Sequence, residues 1–226
     1  MTNDTVNEPT VAVIGAHGKV ARLAIPQLAE HGCTVAGVIR NPQHAADIEK
    51  AGAQPVIFDV EHNDVDSMAQ LLRQWGVGTL VWAAGAGGGD PHRTWAVDRD
   101  AAIRAIDAAR EAGVGHFVMV SYFGAGEDHG VPEDHSFYPY AQAKTEADAH
   151  LASSGVSFTL LRPSRLTDAP ATGLIDADSA EAAEVSRANV AHAIAAAVAH
   201  PPAGSPGTRT VQFNDGSTPV KDVFGA

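Results

Sequence analysis

Val11-Ala12-Val13-Ile14-Gly15-Ala16-His17-Gly18-Lys19-Val20-Ala21 is the stretch on which the fold turns. Its first four residues are all apolar, as in a strand covered on both faces. The residues that follow open a helical repeat at Val20, Leu23, Ala24, Leu28 and His31. Between strand and helix, Gly15 allows a tight turn, Gly18 lets the backbone close on an anion, and the small Ala21 lets helix and strand approach. Amides at a helix start point outward and the helix dipole favours negative charge there. Gly15, Ala16, His17, Gly18, Lys19 and Val20 therefore form a candidate pyrophosphate cradle. The alternative is a purely structural turn in some other α/β protein, and the surrounding pattern decides between them.

That pattern repeats. Apolar runs at 10–15, 34–40, 54–60, 79–84, 116–121, 157–162 and 208–213 alternate with helical spacings such as Val65, Met68, Leu71, Leu72 and Trp75. Such alternation predicts an α/β fold: a Rossmann-type, doubly wound parallel sheet with helices on both faces. Pro26 is expected to bend the first helix. A third helix is expected over 95–112, closed by Gly113. Loops at 86–93 and 122–137 follow strands that end at the same sheet edge as the glycine turn, where ligands of open α/β sheets bind. A small substrate-side flap is expected at about 163–185, its stretch 167–185 acidic and weakly patterned. No linker or repeat divides residues 1–226, so one domain is expected, with 1–9 as a frayed leader.

The formal charge of −12, with no basic stripe, argues against nucleic-acid binding. The single Cys33 reads as an inert buried thiol in a reducing compartment. With no secretory signal and no apolar run long enough to span a bilayer, a cytoplasmic protein without membrane contact is expected. Eleven histidines raise the question of metal. Asp128, His129, Glu133, Asp134 and His135 offer donors, but one acidic loop lacks the fixed geometry and supporting shell of a tight site, so no metal is expected. Ser121 lacks the flanking glycines of a nucleophile elbow.

Two further places carry chemistry. An acid at the end of the second strand would grip the ribose of NAD, yet this strand ends Val38-Ile39-Arg40-Asn41. A guanidinium there pairs with a 2′-phosphate, so NADP(H) is expected over NAD(H); a solvated surface arginine is the other reading. Asp59 and Val60 end the third strand, and the small Ala83, Ala84 and Gly85 end the fourth, leaving room for the adenine-ribose half. Asp59 reads equally as a cap for the next helix. Tyr140 and Lys144, four apart at a helix start, share one face. An ammonium near a phenol lowers its ordinary pKa of about 10 and suits it to proton transfer. A packed tyrosine beside a solvated lysine is the alternative. Ser121 could share the substrate oxygen or cap its loop.

Taken together, Gly15 to Ala21, Arg40-Asn41-Pro42, Asp59-Val60, Ala83-Ala84-Gly85, Val120-Ser121, Tyr140 through Lys144 and Leu161-Arg162-Pro163 resemble the short-chain dehydrogenase/reductase superfamily. The likeness is to its atypical members, similar to NmrA-like and NAD(P)H-binding proteins, and spans nearly the whole chain. It implies a sheet of about seven strands in the order 3-2-1-4-5-6-7, an extended NADP, and a Ser/Tyr/Lys set at the nicotinamide formed by Ser121, Tyr140 and Lys144. It also implies that backbone near Pro163 and Ser164 meets the carboxamide. Tyr122 stands where related enzymes carry a second serine. The expectation is an oxidoreductase moving hydride to a small carbonyl, quinone or flavin-like acceptor. The alternative is a non-catalytic NADP(H) sensor acting through a protein partner. Oligomeric state is left open.

Overall fold

A computed structural model describes residues 10–87 and 90–225; the expected leader at 1–9 lies outside them. Seven parallel strands form the centre: β1 (Thr10–Ile14), β2 (Thr34–Ile39), β3 (Gln54–Ile57), β4 (Val77–Trp82), β5 (His116–Val120), β6 (Phe158–Pro163) and, later in the chain, β10 (Thr208–Asp215). Three short strands lie in the intervening segment, β7 (Arg165–Thr167), β8 (Leu174–Asp176) and β9 (Glu184–Ser186), and β11 (Thr218–Pro219) follows β10. The main sheet runs β11-β8-β10-β6-β5-β4-β1-β2-β3. Its parallel part has the expected 3-2-1-4-5-6-7 order, with β10 as the seventh strand. β8 and β11 extend that edge in antiparallel fashion, so the sheet has nine strands rather than about seven.

The strand order reverses between β1 and β4, which pair directly, Val13 opposite Val81 on one side and Gly37 on the other. Helices cover both faces. Side chains of β1 alternate: Ala12 and Ile14 join Trp82, Met68, Leu72 and Ile106 in one core, whereas Val11 and Val13 join Ile25, Leu28, Val190, Ile194 and Phe213 in the other. α3 (Val65–Gln74) and α5 (Ala102–Ala112) pack on the first face. α1 (Lys19–Glu30) and α7 (Arg187–Ala199) pack on the second. α1 runs through Pro26 as one helix.

Four expectations are corrected. The helix read as starting at 95 begins with α4 (Pro91–Thr94), where Asp90 caps it by accepting from the His92 amide and Pro91 occupies the first turn. It then passes through a widened π-helical stretch, Trp95–Ala101, before α5. β3 and β4 end at Ile57 and Trp82, before Asp59-Val60 and Ala83-Ala84, with the last strand-to-strand bonds donated by the Phe58 and Ala83 amides. Cys33 is half-buried rather than buried. The flap, expected to be weakly patterned, carries the three short strands β7, β8 and β9. Buried Asn189 accepts from the amides of Thr172 and Gly173 at 3.1 and 2.9 Å and donates to Asp215 at 2.6 Å. β7 pairs with β9, with Arg165 and Glu184 ion-paired across them.

At the opposite end of β5, His116 is 4% exposed, and its Nε2 lies 3.0 Å from the Thr159 hydroxyl. Burial first, and then the charge of Arg209, pushes its pKa down to about 4. Its unfolded-state value is about 6.5, so the folded form stays neutral where the unfolded form takes up a proton. Stability present above pH 6.5 is therefore lost as pH falls toward 4, by about 3 kcal/mol from this group. Unfolding free energies measured across that window should fall less steeply, by about one proton, in His116→Gln. An unaltered slope would show that His116 is protonated in the folded protein.

Candidate functional site

The site begins where Gly15 passes the end of β4. Gly15 has φ +80°, and a Cβ placed on it would lie 2.6 Å from the Ala84 Cα, so no other residue fits without moving the backbone. Gly18 caps α1 with extended backbone and offers no side chain to the first-turn amides. In α3 and α7, by contrast, a side chain caps the first turn: Asp64 accepts from the Ser67 amide and Ser186 from the Asn189 amide. The uncapped start of α1 therefore presents its N–H groups to the crevice, ready for an anion. Ala16 lies buried under the turn, its amide bonded to the Val38 carbonyl at 3.2 Å.

Two cavities meet at this turn and share Ala83, Ala84, Gly85 and Ala86. The first, about 370 Å³, is lined by Gly15, His17, Gly18, Arg40, Asp59 and Val60. His44, Glu61 and Arg93 also face it. The second, about 390 Å³, is lined by Val20, Ser121, Tyr140 and Lys144, together with Asp98, Phe137 and Leu166. The two lie on opposite sides of the strand-order reversal. An extended dinucleotide fits this arrangement, with its pyrophosphate on the glycine turn and one ribose-base half in each cavity. His17, Gly15 and Gly18 would hold the phosphates, and Ala83 to Gly85 leave the passage open because they carry almost no side chain.

Charged groups organise the first cavity. Arg40 Nη1 lies 3.4 Å from Glu61 Oε2. The ring of His17 stacks on His44 with centroids 3.6 Å apart, and its Nε2 lies 3.0 Å from Asp47. Asp59 faces the cavity and accepts from the Glu61 amide at 2.9 Å within its own turn; it does not cap the next helix, whose cap is Asp64. Burial raises the Asp59 pKa, but hydrogen bonds from His62 and the Glu61 amide, with the charges of His62 and Arg40, outweigh it and leave the carboxyl below its ordinary value.

In the second cavity the structure differs from the simplest reading of the tyrosine and lysine. Buried Lys144 donates to the Val120 carbonyl at 2.7 Å. Burial pulls its pKa down, opposed by Asp98 and Asp148. The Tyr140 phenol is pushed above its ordinary pKa, chiefly by burial and then by the charges of Asp98, Asp148 and Tyr122. The expected lowering is thus reversed. Ser121 donates to Asp148 Oδ2 at 2.8 Å, and the same oxygen accepts from Arg162 at 3.1 and 3.2 Å. The serine proton is therefore committed inward, away from any acceptor.

Several expected contacts fall outside both cavities. Lys19 reaches Asp168 at 3.3 Å and ties the glycine turn to the flap. Asn41 accepts from the Gln43 amide and caps a short 3₁₀ turn. Pro163 and Ser164 are buried, with the Ser164 amide bonded to the Phe213 carbonyl at 3.1 Å; Leu166, just beyond, is what the flap contributes. Conversely, sequence reading passed over Glu61, Arg93 and Asp98. Asp98 is 2% exposed and accepts from the Ala86 amide at 3.0 Å. Burial raises its pKa against the pull of Lys144, the Ala86 amide and Arg93. The Asp90-Pro91 start signal, read with the apolar spacing, would have found its helix. The loop histidines 129 and 135 bond to Gln142 and to nearby amides. Among the described residues no group of three His, Cys, Asp or Glu side chains is arranged to hold a metal ion. Nor, among these residues, is any helix long and apolar enough to cross a membrane.

A crevice of this form at the reversal of an open parallel sheet defines a dinucleotide-binding Rossmann protein of the atypical short-chain dehydrogenase/reductase kind. The chain belongs to the NAD(P)H-binding family, which it matches over residues 15–201. It is 29% identical over 217 residues to the uncharacterized sugar epimerase YhfK of Bacillus subtilis, covering 95% of this chain and 98% of that one. It is 34% identical over 180 residues to UPF0659 protein C216.03 of Schizosaccharomyces pombe, covering 72% and 73%. Among solved structures, a putative NAD-dependent epimerase/dehydratase from Bacillus halodurans superposes with a TM-score of 0.84 at 28% identity, over 96% of this chain and 99% of that chain. ChuY, an anaerobillin reductase from Escherichia coli O157:H7, does so with 0.70 at 25% identity, over 91% and 97%. The fold is therefore oxidoreductase-like and binds NAD(P)H, and its neighbours include both reductases and epimerases.

Because the turn tolerates no side chain, Gly15→Ala should lower stability by more than about 1 kcal/mol. It should also displace Ala84 from the crevice and weaken dinucleotide binding. Chemical denaturation and a nucleotide titration check both effects, and a variant unaltered in either would mean that the close approach has no energetic weight.

Proposed function

We propose that the protein is an NADPH-dependent oxidoreductase that reduces a small carbonyl, quinone or flavin-like acceptor, with Tyr140 as proton donor. The observation that carries this reading is the second cavity: it adjoins the glycine turn and gathers Tyr140, Lys144 and Asp98 as its titratable lining among the described residues. NADPH bound at this edge supplies the hydride. The protein's own contribution is the proton. With its pKa raised, the Tyr140 phenol stays protonated at neutral pH and gives its hydrogen up only to a strongly basic oxygen, such as the one that develops as a carbonyl is reduced. Lys144 then offsets the phenolate charge. This bias suits reduction better than the reverse reaction, which needs the phenolate at the start.

Phe137, Pro139 and Leu166 give the cavity an apolar wall, and Lys144 is the one cation among its described lining residues. A sugar nucleotide would bring a diphosphate with no guanidinium to receive it there, which supports a small uncharged acceptor over an epimerase substrate. For the cofactor, Arg40, with Arg93 and the stacked histidines about the first cavity, supports NADP(H) over NAD(H). A second reading, an NADP(H) sensor that alters association with a protein partner, is favoured by one fact: Ser121 spends its proton on Asp148 rather than on an acceptor.

Incubating the protein with NADPH and a panel of carbonyls, quinones and flavins, while following cofactor absorbance, separates the two. Oxidation is expected for at least one acceptor. Tyr140→Phe should reduce that turnover about 100-fold or more, with the NADPH dissociation constant nearly unchanged. Tight NADPH binding with no oxidation across the panel would favour the sensor, and an equally active Tyr140→Phe would remove the phenol from the mechanism. Direct titration should show NADPH bound more tightly than NADH. Equal affinities would overturn the cofactor assignment.

A further inference from the structure

We propose that Glu61 sets how strongly the protein distinguishes NADP(H) from NAD(H), by competing with the 2′-phosphate for the Arg40 guanidinium. This rests on the cofactor reading above and names the residue that tunes it.

β2 ends without an acid, yet the cavity beyond it does not lack one. The turn after β3 brings Glu61 to the same wall, its Oε2 3.4 Å from Arg40 Nη1. Of the two partners, Glu61 is the less exposed, and its backbone is held on both sides. Arg104 reaches from α5 to donate to the carbonyls of Val60 and Glu61 at 3.1 and 3.0 Å, and the Glu61 amide donates to Asp59 at 2.9 Å. The Glu61 side chain is 19% exposed, against 58% for Arg40. The more exposed guanidinium has the greater freedom to turn between two anions, whereas the clamped backbone keeps Glu61 at this wall.

A carboxylate at this wall has opposite effects on the two dinucleotides. It accepts a hydrogen bond from a ribose hydroxyl, which favours the unphosphorylated cofactor. Toward a 2′-phosphate it adds like-charge repulsion, and it holds the cation that the phosphate needs. The wild-type protein should thus select NADPH by less than Arg40 alone would give.

The test measures dissociation constants of NADPH and NADH for the full chain, for Glu61→Gln, and for Glu49→Gln, which removes the same charge from the exposed side of the neighbouring helix. In Glu61→Gln, NADPH should bind more tightly and NADH more weakly, so that their ratio moves toward NADPH by about threefold to tenfold. The Glu49→Gln ratio should stay at the wild-type value. A ratio unmoved in Glu61→Gln, or moved equally in Glu49→Gln, overturns the inference while leaving the cofactor reading intact. Failure of the wild-type chain to bind either dinucleotide overturns both.

Discussion

Gly15 and Ala84 approach so closely that a single methyl group on the former would occupy the space of the latter's Cα. Much depends on that contact. It lets the end of β1 turn beneath the end of β4 at the point where crossovers change direction, so the crevice opens at the carboxyl edge instead of being filled by side chains. The turn in turn fixes the start of α1, whose free amides face the crevice because Gly18 brings no cap. Both cavities, with their different chemistry, are consequences of which strand ends lie on each side of this crossing: β2 and β3 supply charge, β5 and the helix after it supply the phenol and ammonium.

Those two sides are built on different electrostatic principles. On the Arg40 side the charged groups are partly exposed, and solvent screens them. On the other side Asp98, Lys144 and Asp148 are nearly without solvent contact, and Arg162 reaches Asp148 from β6. Burying such groups is unfavourable unless each is paired, and here each is offset by a neighbour of opposite sign or by a backbone partner. Burial first, and then the charges of Asp98, Asp148 and Tyr122, make the pKa of the Tyr140 phenol rise rather than fall. A phenol so placed stays protonated at neutral pH.

Much of this was legible in the residues. The strand-glycine-helix sequence at 11–21 and the alternation after it foretell the sheet and its order, because continuous apolar strands and periodic helices follow directly from two-sided burial. Tyr140, Lys144, Ser121, Arg40 and Asp59 are all found facing the crevice. What could not be read rests on side-chain bonds between distant segments. The flap is held by Asn189, Asn214 and Asp215, none of which leaves a periodic trace. Glu61 meets Arg40 only because β3 lies beside β2. Asp98 reaches its place through a π-helical stretch that ordinary helical spacing does not foretell. The hydrogen bonds that commit Ser121 and Lys144 elsewhere are likewise invisible until the helix Tyr138–Ser153 lies against the end of β5.

The most direct test is a crystal structure of the protein with NADPH. The account predicts the pyrophosphate on the amides that begin α1, the 2′-phosphate beside Arg40, and the nicotinamide in the cavity shared by Tyr140 and Lys144. A dinucleotide bound away from the Gly15–Gly18 turn, or lying with its nicotinamide on the Arg40 side, would contradict it.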